Sequence, residues 1–172
     1  MQRLFFALWP DHELRNRINT LASELPGQGG QRHHPDDLHM TLVFLGSVAP
    51  AQRACIEQIG DEVQVNPFTL SLDQIDYWAR PRILFLGATD TPAPLASLVE
   101  SLQSGLVGCG FKPEERAYKP HVTLIRKAKQ PRTFNFVAPI DWTVSEFVLA
   151  GSCAGEPPPR YQVLKRWSLK NV

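Results

Sequence analysis

The tetrapeptide His-x-Thr-Leu stands twice in this chain of 172 residues, as His39-Met40-Thr41-Leu42 and as His121-Val122-Thr123-Leu124, once in each half. Both copies lie in short apolar runs that read as β-strands. Side chains on a strand alternate faces with period two. His39 and Thr41 therefore share one face, with Met40, Leu42 and Phe44 on the other. His121 and Thr123 share a face opposite Val122 and Leu124. Each such strand presents one polar pair outward and anchors itself with aliphatics inward.

The rest of the chain supplies the covering elements. Arg3 to Trp9 reads as a strand closed by Pro10. Asp11 is a plausible N-cap for a helix carrying Leu14, Ile18, Leu21 and Leu25 at three- and four-residue spacing. Pro26 to Pro35 is a polar loop. Leu38 to Leu45 is a strand stopped by Gly46, and Pro50 to about Val65 is helical, with Ala54, Ile56, Ile59 and Val63 inward. Phe68 to Trp78 and Ile83 to Leu86 form a hairpin-like pair around Pro81. Pro94 to Val107 is a helix with Leu95, Leu98, Val99, Leu102 and Leu106 on its apolar side.

His121 to about Arg126 is the second motif strand, followed by a polar, exposed stretch from Lys127 to Pro131. Trp142 to Leu149 is a further strand, and Glu156-Pro157-Pro158-Pro159 a stiff connector. The closing strand sets Tyr161, Val163, Trp167 and Leu169 on one parity, with Lys165 as the polar exception. Hairpins mixed with helices outside a clean βαβ order favour an α+β architecture built on antiparallel sheets. The doubled motif adds two similar halves facing each other.

A histidine and a hydroxyl on one strand face sit about 6–7 Å apart, a span that suits groups flanking a phosphate. Imidazole titrates near neutrality and can give or take a proton. A threonine hydroxyl can donate to a phosphate oxygen. Two such pairs facing one phosphorus form a complete acid–base set that needs no metal or cofactor. Of the other histidines, His12 is expected at a solvated helix start. His33 and His34 share a loop with Asp36 and Asp37 but lack metal-ligand spacing.

A net charge of +1 argues against a protein that coats long nucleic acid, though not against one that reads a short end. No apolar run reaches the roughly 18 residues needed to span a membrane. The N-terminus does not read as a signal peptide. Cys55, Cys109 and Cys153 are widely spaced and odd in number, so free and mostly buried thiols in a reducing cytoplasm are expected.

The paired motifs resemble those of the 2H phosphoesterases, and within them the RNA 2′,3′-cyclic phosphodiesterases, also called 2′-5′ RNA ligases. The resemblance spans Arg3-Leu4-Phe5-Phe6-Ala7, Asp37 to Gly46, Lys119 to Arg126, and Tyr161 to Leu169. It implies a single bilobal α+β domain over residues 1–172, with two interleaved, pseudo-symmetric lobes and outer helices around a central cleft. It implies hydrolysis of 2′,3′-cyclic phosphate at RNA 3′ ends to a 2′-phosphate, and ATP-independent 2′-5′ joining as a related reaction.

By the same resemblance His39 is the proton donor, His121 the proton acceptor, and Arg126 a phosphate ligand. Simple parity, however, sets Arg126 opposite His121 unless the strand bulges after Thr123. Where relatives carry an aromatic after an arginine, this chain has Arg32-His33-His34-Pro35. The partners implied are RNA ends or nucleoside 2′,3′-cyclic phosphates, with no obligate protein partner. Two alternatives stand beside this reading. One is a small cyclic nucleotide or a 2′-5′ oligoadenylate as substrate. The other is a non-catalytic RNA-end binder using Arg126, Lys127, Lys129 and Arg132.

Overall fold

Alternating apolar runs, prolines and caps resolve into two antiparallel sheets and three α-helices in the computed structural model, which describes residues 1–25, 29–131, 136–153, 155 and 157–172. Strand β1 (Gln2–Leu8) is buried from Leu4 onward because both of its faces are covered. After Pro10, the carboxylate of Asp11 accepts from Leu14 N at 2.8 Å and starts α1 (His12–Glu24), which buries Leu14, Ile18 and Ala22. Two residues, Gln31–Arg32, form β2. The first motif runs into β3 (Met40–Val48), and α2 (Arg53–Glu62) follows. The expected hairpin is β4 (Phe68–Trp78) with β5 (Ile83–Gly87), and the leucine-striped helix is α3 (Ala93–Val107). The second motif opens β6 (His121–Arg126).

The strand expected from Trp142 to Leu149 is in fact two, β7 (Phe136–Val144) and β8 (Glu146–Ser152), parted at Ser145. The break has a topological cause. β7 pairs with β4, whereas β8 pairs with β1 and with β9 (Tyr161–Ser168), so the chain changes sheets there. One sheet has the order β3-β1-β8-β9 and the other β2-β6-β5-β4-β7, and every pairing is antiparallel. Each sheet therefore carries one motif.

A continuous apolar core runs from β1 and β3 through the helices to β4, β5 and β6. A smaller cluster of Phe5, Ala7, Val148 and Ala150 backs the other face of the four-stranded sheet. Helix α2 lies close on β9 because Gly60 has no side chain: a Cβ there would stand 2.5 Å from the Trp167 ring. Ala54, expected inward on this helix, is exposed, while Ile56 is fully buried.

The cysteine expectation is overturned. Cys55 on α2 and Cys109 just past α3 form a disulfide, with Cα atoms 5.8 Å apart and 54 positions between them in sequence. Helices α2 and α3 meet in space, at Ile59 and Gly105 among others, and only that packing brings the two thiols together. Cys153 is free and half-buried. Ala128, in a stretch expected to be exposed, is buried and donates its N–H to Arg82 O. Arg132, Glu156 and part of the Pro26–Pro35 loop lie outside the described residues. No helix among the described residues is long and apolar enough to cross a membrane.

Candidate active site

The fourth residue of each motif is where strand parity breaks. Along β1 and β3, Ala7 pairs with Thr41 but Phe6 pairs with Val43, so Leu42 is skipped. Along β5 and β6, Phe85 pairs with Thr123 but Leu84 pairs with Ile125, so Leu124 is skipped. Both motif leucines are thus bulge residues, and both are buried. A bulge moves later residues to the other face. Phe44, expected inward, is 59% exposed, and Leu45 takes the buried position instead. Gly46, expected to stop the strand, lies inside it at φ +71° beside a second skip at Leu45. On β6 the skip carries Arg126 across from Ile83 and onto the face of Phe85, Thr123 and His121.

The two imidazoles are held alike. His39 Nδ1 lies 2.6 Å from Asp37 O, and His121 Nδ1 lies 2.8 Å from Lys119 O. A carbonyl only accepts, so in both rings Nδ1 carries the proton and Nε2 is the nitrogen left to work on a substrate. His39 stacks on Trp9 with centroids 5.2 Å apart and an interplanar angle of 8°, and touches Phe5 and Tyr161. His121 meets Trp78 edge-on at 4.5 Å and Phe85 at 5.6 Å. Aromatic walls fix both ring planes. Thr41 and Thr123 are half-buried on the same faces as the histidines.

Asp37 is buried at 4% exposure, and its carboxylate accepts from the backbone N–H groups of Arg160 and Tyr161 at 2.8–3.0 Å. One residue thus holds His39 through its carbonyl and the start of β9 through its side chain. Tyr118 OH donates to Thr41 O at 3.0 Å, tying the approach to the second motif to the first motif strand. Lys119 pairs with Asp76 at 3.1 Å and lies over the Phe85 ring.

Burial, first of all, holds His39 down to about 4, with the charges of Arg126 and His121 lowering it further. His121 is lowered by burial, then by Lys119 and Arg126. Arg126 is therefore within electrostatic reach of both motif histidines. His33 accepts from Arg126 Nε at 3.0 Å and is held at about 3 by burial and by that guanidinium.

These three shifts have a consequence for stability. Between 6.5 and the lowered values the unfolded chain binds protons that the folded chain refuses. Stability from these rings is therefore complete above about 6.5 and lost as pH falls towards 4 and 3. Thermal melts should show the melting temperature falling from pH 7 to pH 4. His33→Gln should flatten that fall, and an unchanged slope would remove His33 from the account.

Arg126 shares a face of β6 with His121 and Thr123, its charge reaches both motif histidines, and Thr41 lies on the face of His39. His33 and His34, weighed as metal ligands, are engaged otherwise: His33 with Arg126, and His34 Nδ1 with Asp36 N at 3.2 Å. Among the described residues no three His, Cys, Asp or Glu side chains converge as a metal site. The wall residues Phe5, Trp9, Trp78, Phe85 and Tyr161 were not singled out from the sequence. The available signal was parity: Phe5 and Trp9 share one side of β1's direction with Ala7 between them.

The chain is similar to known proteins over most of its length. The family model for the 2′-5′ RNA ligase superfamily matches residues 10–152. The RNA 2′,3′-cyclic phosphodiesterase of Escherichia coli is 34% identical, over 98% of this chain and 97% of its own length. The protein of the same name from Archaeoglobus fulgidus is 31% identical over 78% of each. The crystal structure of E. coli LigT complexed with 3′-AMP superposes with a TM-score of 0.87 at 33% identity, covering 99% of both chains.

Proposed function

The chain belongs to the 2′-5′ RNA ligase superfamily, and from that premise we propose that it hydrolyses RNA 2′,3′-cyclic phosphate ends to 2′-phosphates as a single 2H phosphoesterase domain spanning residues 1–172. The observation that carries the reading is the matched pair of imidazoles. Each is locked by Nδ1 to the carbonyl two residues before it, which leaves each Nε2 to meet a substrate. The name shared by the E. coli and A. fulgidus relatives supports the substrate class.

In this mechanism His121 Nε2 takes a proton from water as the oxygen attacks phosphorus. With the anionic phosphate bound, His39 takes up a second proton on Nε2; as the P–O3′ bond breaks, that proton passes to the departing O3′. The products are a 2′-phosphomonoester and a free 3′-hydroxyl, with one proton taken and one returned. Thr41 and Thr123 donate to non-bridging oxygens, and the Arg126 guanidinium balances the charge that builds there. The same displacement with the 5′-hydroxyl of a second RNA end in place of water would form a P–O5′ bond, break the same P–O3′ bond and join the ends 2′-5′ without ATP.

A defined oligonucleotide with a 2′,3′-cyclic phosphate, incubated with the protein in EDTA, tests the proposal. Turnover to a 2′-phosphate at an undiminished rate is expected. A 3′-phosphate product, or no turnover, overturns it. A mononucleotide cyclic phosphate run alongside separates RNA-end from small-nucleotide specificity. Binding of cyclic ends without turnover would favour a non-catalytic RNA-end module.

A further inference from the structure

We infer that His33 is the positioning residue for Arg126: its Nε2 accepts the Nε hydrogen bond, at 3.0 Å, that turns the outer edge of the guanidinium towards the phosphate. This rests on the proposed placement of phosphate between His39 and His121. A guanidinium has two anion-binding edges, one that includes Nε and one made by the two terminal nitrogens. With Nε committed to His33, the terminal edge remains for two phosphate oxygens. Arginine at an exposed strand end otherwise samples many rotamers, and a fixed fork loses less freedom on binding.

The geometry around His33 is built from the backbone. Gln31 pairs with Arg126 and Arg32 with Ile125, and His33 N–H donates to Leu124 O at 2.9 Å. That carbonyl belongs to the bulge residue of the second motif, so the feature that brings Arg126 onto the His121 face also seats its partner. Gly30, at φ +77°, lets the segment lie this close: a Cβ there would be 2.4 Å from Arg126 O. Arg32 anchors the same segment to α1 by donating to Asn19 O at 3.2 Å.

Arginine can only donate, so the His33 ring is neutral and its proton sits on Nδ1. Nδ1 is buried and faces the Asp37 backbone without a full hydrogen bond. A buried donor left unmet is a cost to folding. The ring tolerates that cost with Nε2 engaged on Arg126. Burial and the adjacent guanidinium keep it neutral across the working pH range.

The test is a double-mutant cycle read two ways, by kcat/KM on the cyclic-phosphate oligonucleotide and by titration of inorganic phosphate. His33→Phe keeps a ring and removes the acceptor. His33→Asn, too short to reach Arg126, is the second removal variant should the first fold poorly. His33→Gln restores an acceptor. Both removal variants should lose roughly tenfold in kcat/KM, the order expected when a reacting group is misplaced. They should also bind phosphate more weakly, and His33→Gln should recover most of both. In an Arg126→Ala background His33→Phe should cost nothing further. A purely structural His33 would lower the melting temperature and leave both readouts at wild-type values, which overturns the inference. A full His33→Phe loss persisting without Arg126 also overturns it. Should the wild type bind phosphate yet not hydrolyse cyclic ends, the proposed function falls, and the phosphate cycle still decides the His33–Arg126 pair.

Discussion

His39→Ala and His121→Ala should each reduce kcat/KM on a cyclic-phosphate RNA end by about 10²–10⁴-fold, the usual worth of a positioned general acid or base. Each ring has one nitrogen bound to a backbone carbonyl, so its loss removes a proton carrier and leaves the strands paired. Asn at either position keeps a side-chain amide near that carbonyl and cannot exchange the proton, so it should be as inactive as Ala. Groups that act as a unit are not additive, and the double variant should fall little below the worse single one. Activity within tenfold of wild type in either Ala variant would sink the two-histidine mechanism.

The pH profile gives a second handle on the same rings. The donor must hold its proton, so rate falls as pH rises past its pKa. The acceptor must be neutral, so rate falls as pH drops below its own. Burial lowers both histidines in the free protein, His39 to about 4, so the bell for kcat/KM should lie on the acid side of an ordinary histidine pair. A bound phosphate is negative and favours protonated imidazole, so the kcat bell should sit at higher pH. The two limbs belong to the coupled pair and not to either ring alone.

Asp37→Ala should be the most damaging single change to stability. It strips acceptors from the N–H groups of Arg160 and Tyr161 in a buried place, at about 1–3 kcal/mol for each donor left unmet. A total of about 3 kcal/mol corresponds to a melting temperature roughly 6–12 °C lower in a chain of this size. The same residue's carbonyl holds His39, so kcat/KM should drop below the melting range as well. Asp37→Asn keeps one acceptor oxygen and should land between. Denaturant titration together with initial rates would check both effects. A stable Asp37→Ala variant would show that β9 needs no such anchor.

Local pattern carried much of this fold. The period-two runs and proline limits of β4 and β6, and the leucine stripe of α3, coincide with the observed elements. Those signals depend only on a segment and the face it buries. What escaped depends on a second segment. A skipped residue is defined by the partner strand's register, so nothing within His121 to Arg126 announces that Leu124 drops out and Arg126 turns onto the His121 face. The Cys55–Cys109 bond needs two helices already packed. His33 reads as a loop histidine until Gly30 allows its backbone to lie on β6. At the closing strand, parity failed similarly: a skip at Leu164 separates Tyr161 and Val163 from Trp167 and Leu169.

The strand order β3-β1-β8-β9 also sets a timetable. Every strand of the five-stranded sheet is encoded before Ser145, whereas β8 and β9 of the other sheet follow it. The sheet that frames His39 must wait. Two of its strands are synthesised last, and Asp37 has no Arg160 or Tyr161 amide to grip until β9 emerges. Without β8, β1 would keep β3 on one side and an open flank on the other. A truncated product ending before β8 would carry both histidines and the frame for only one of them.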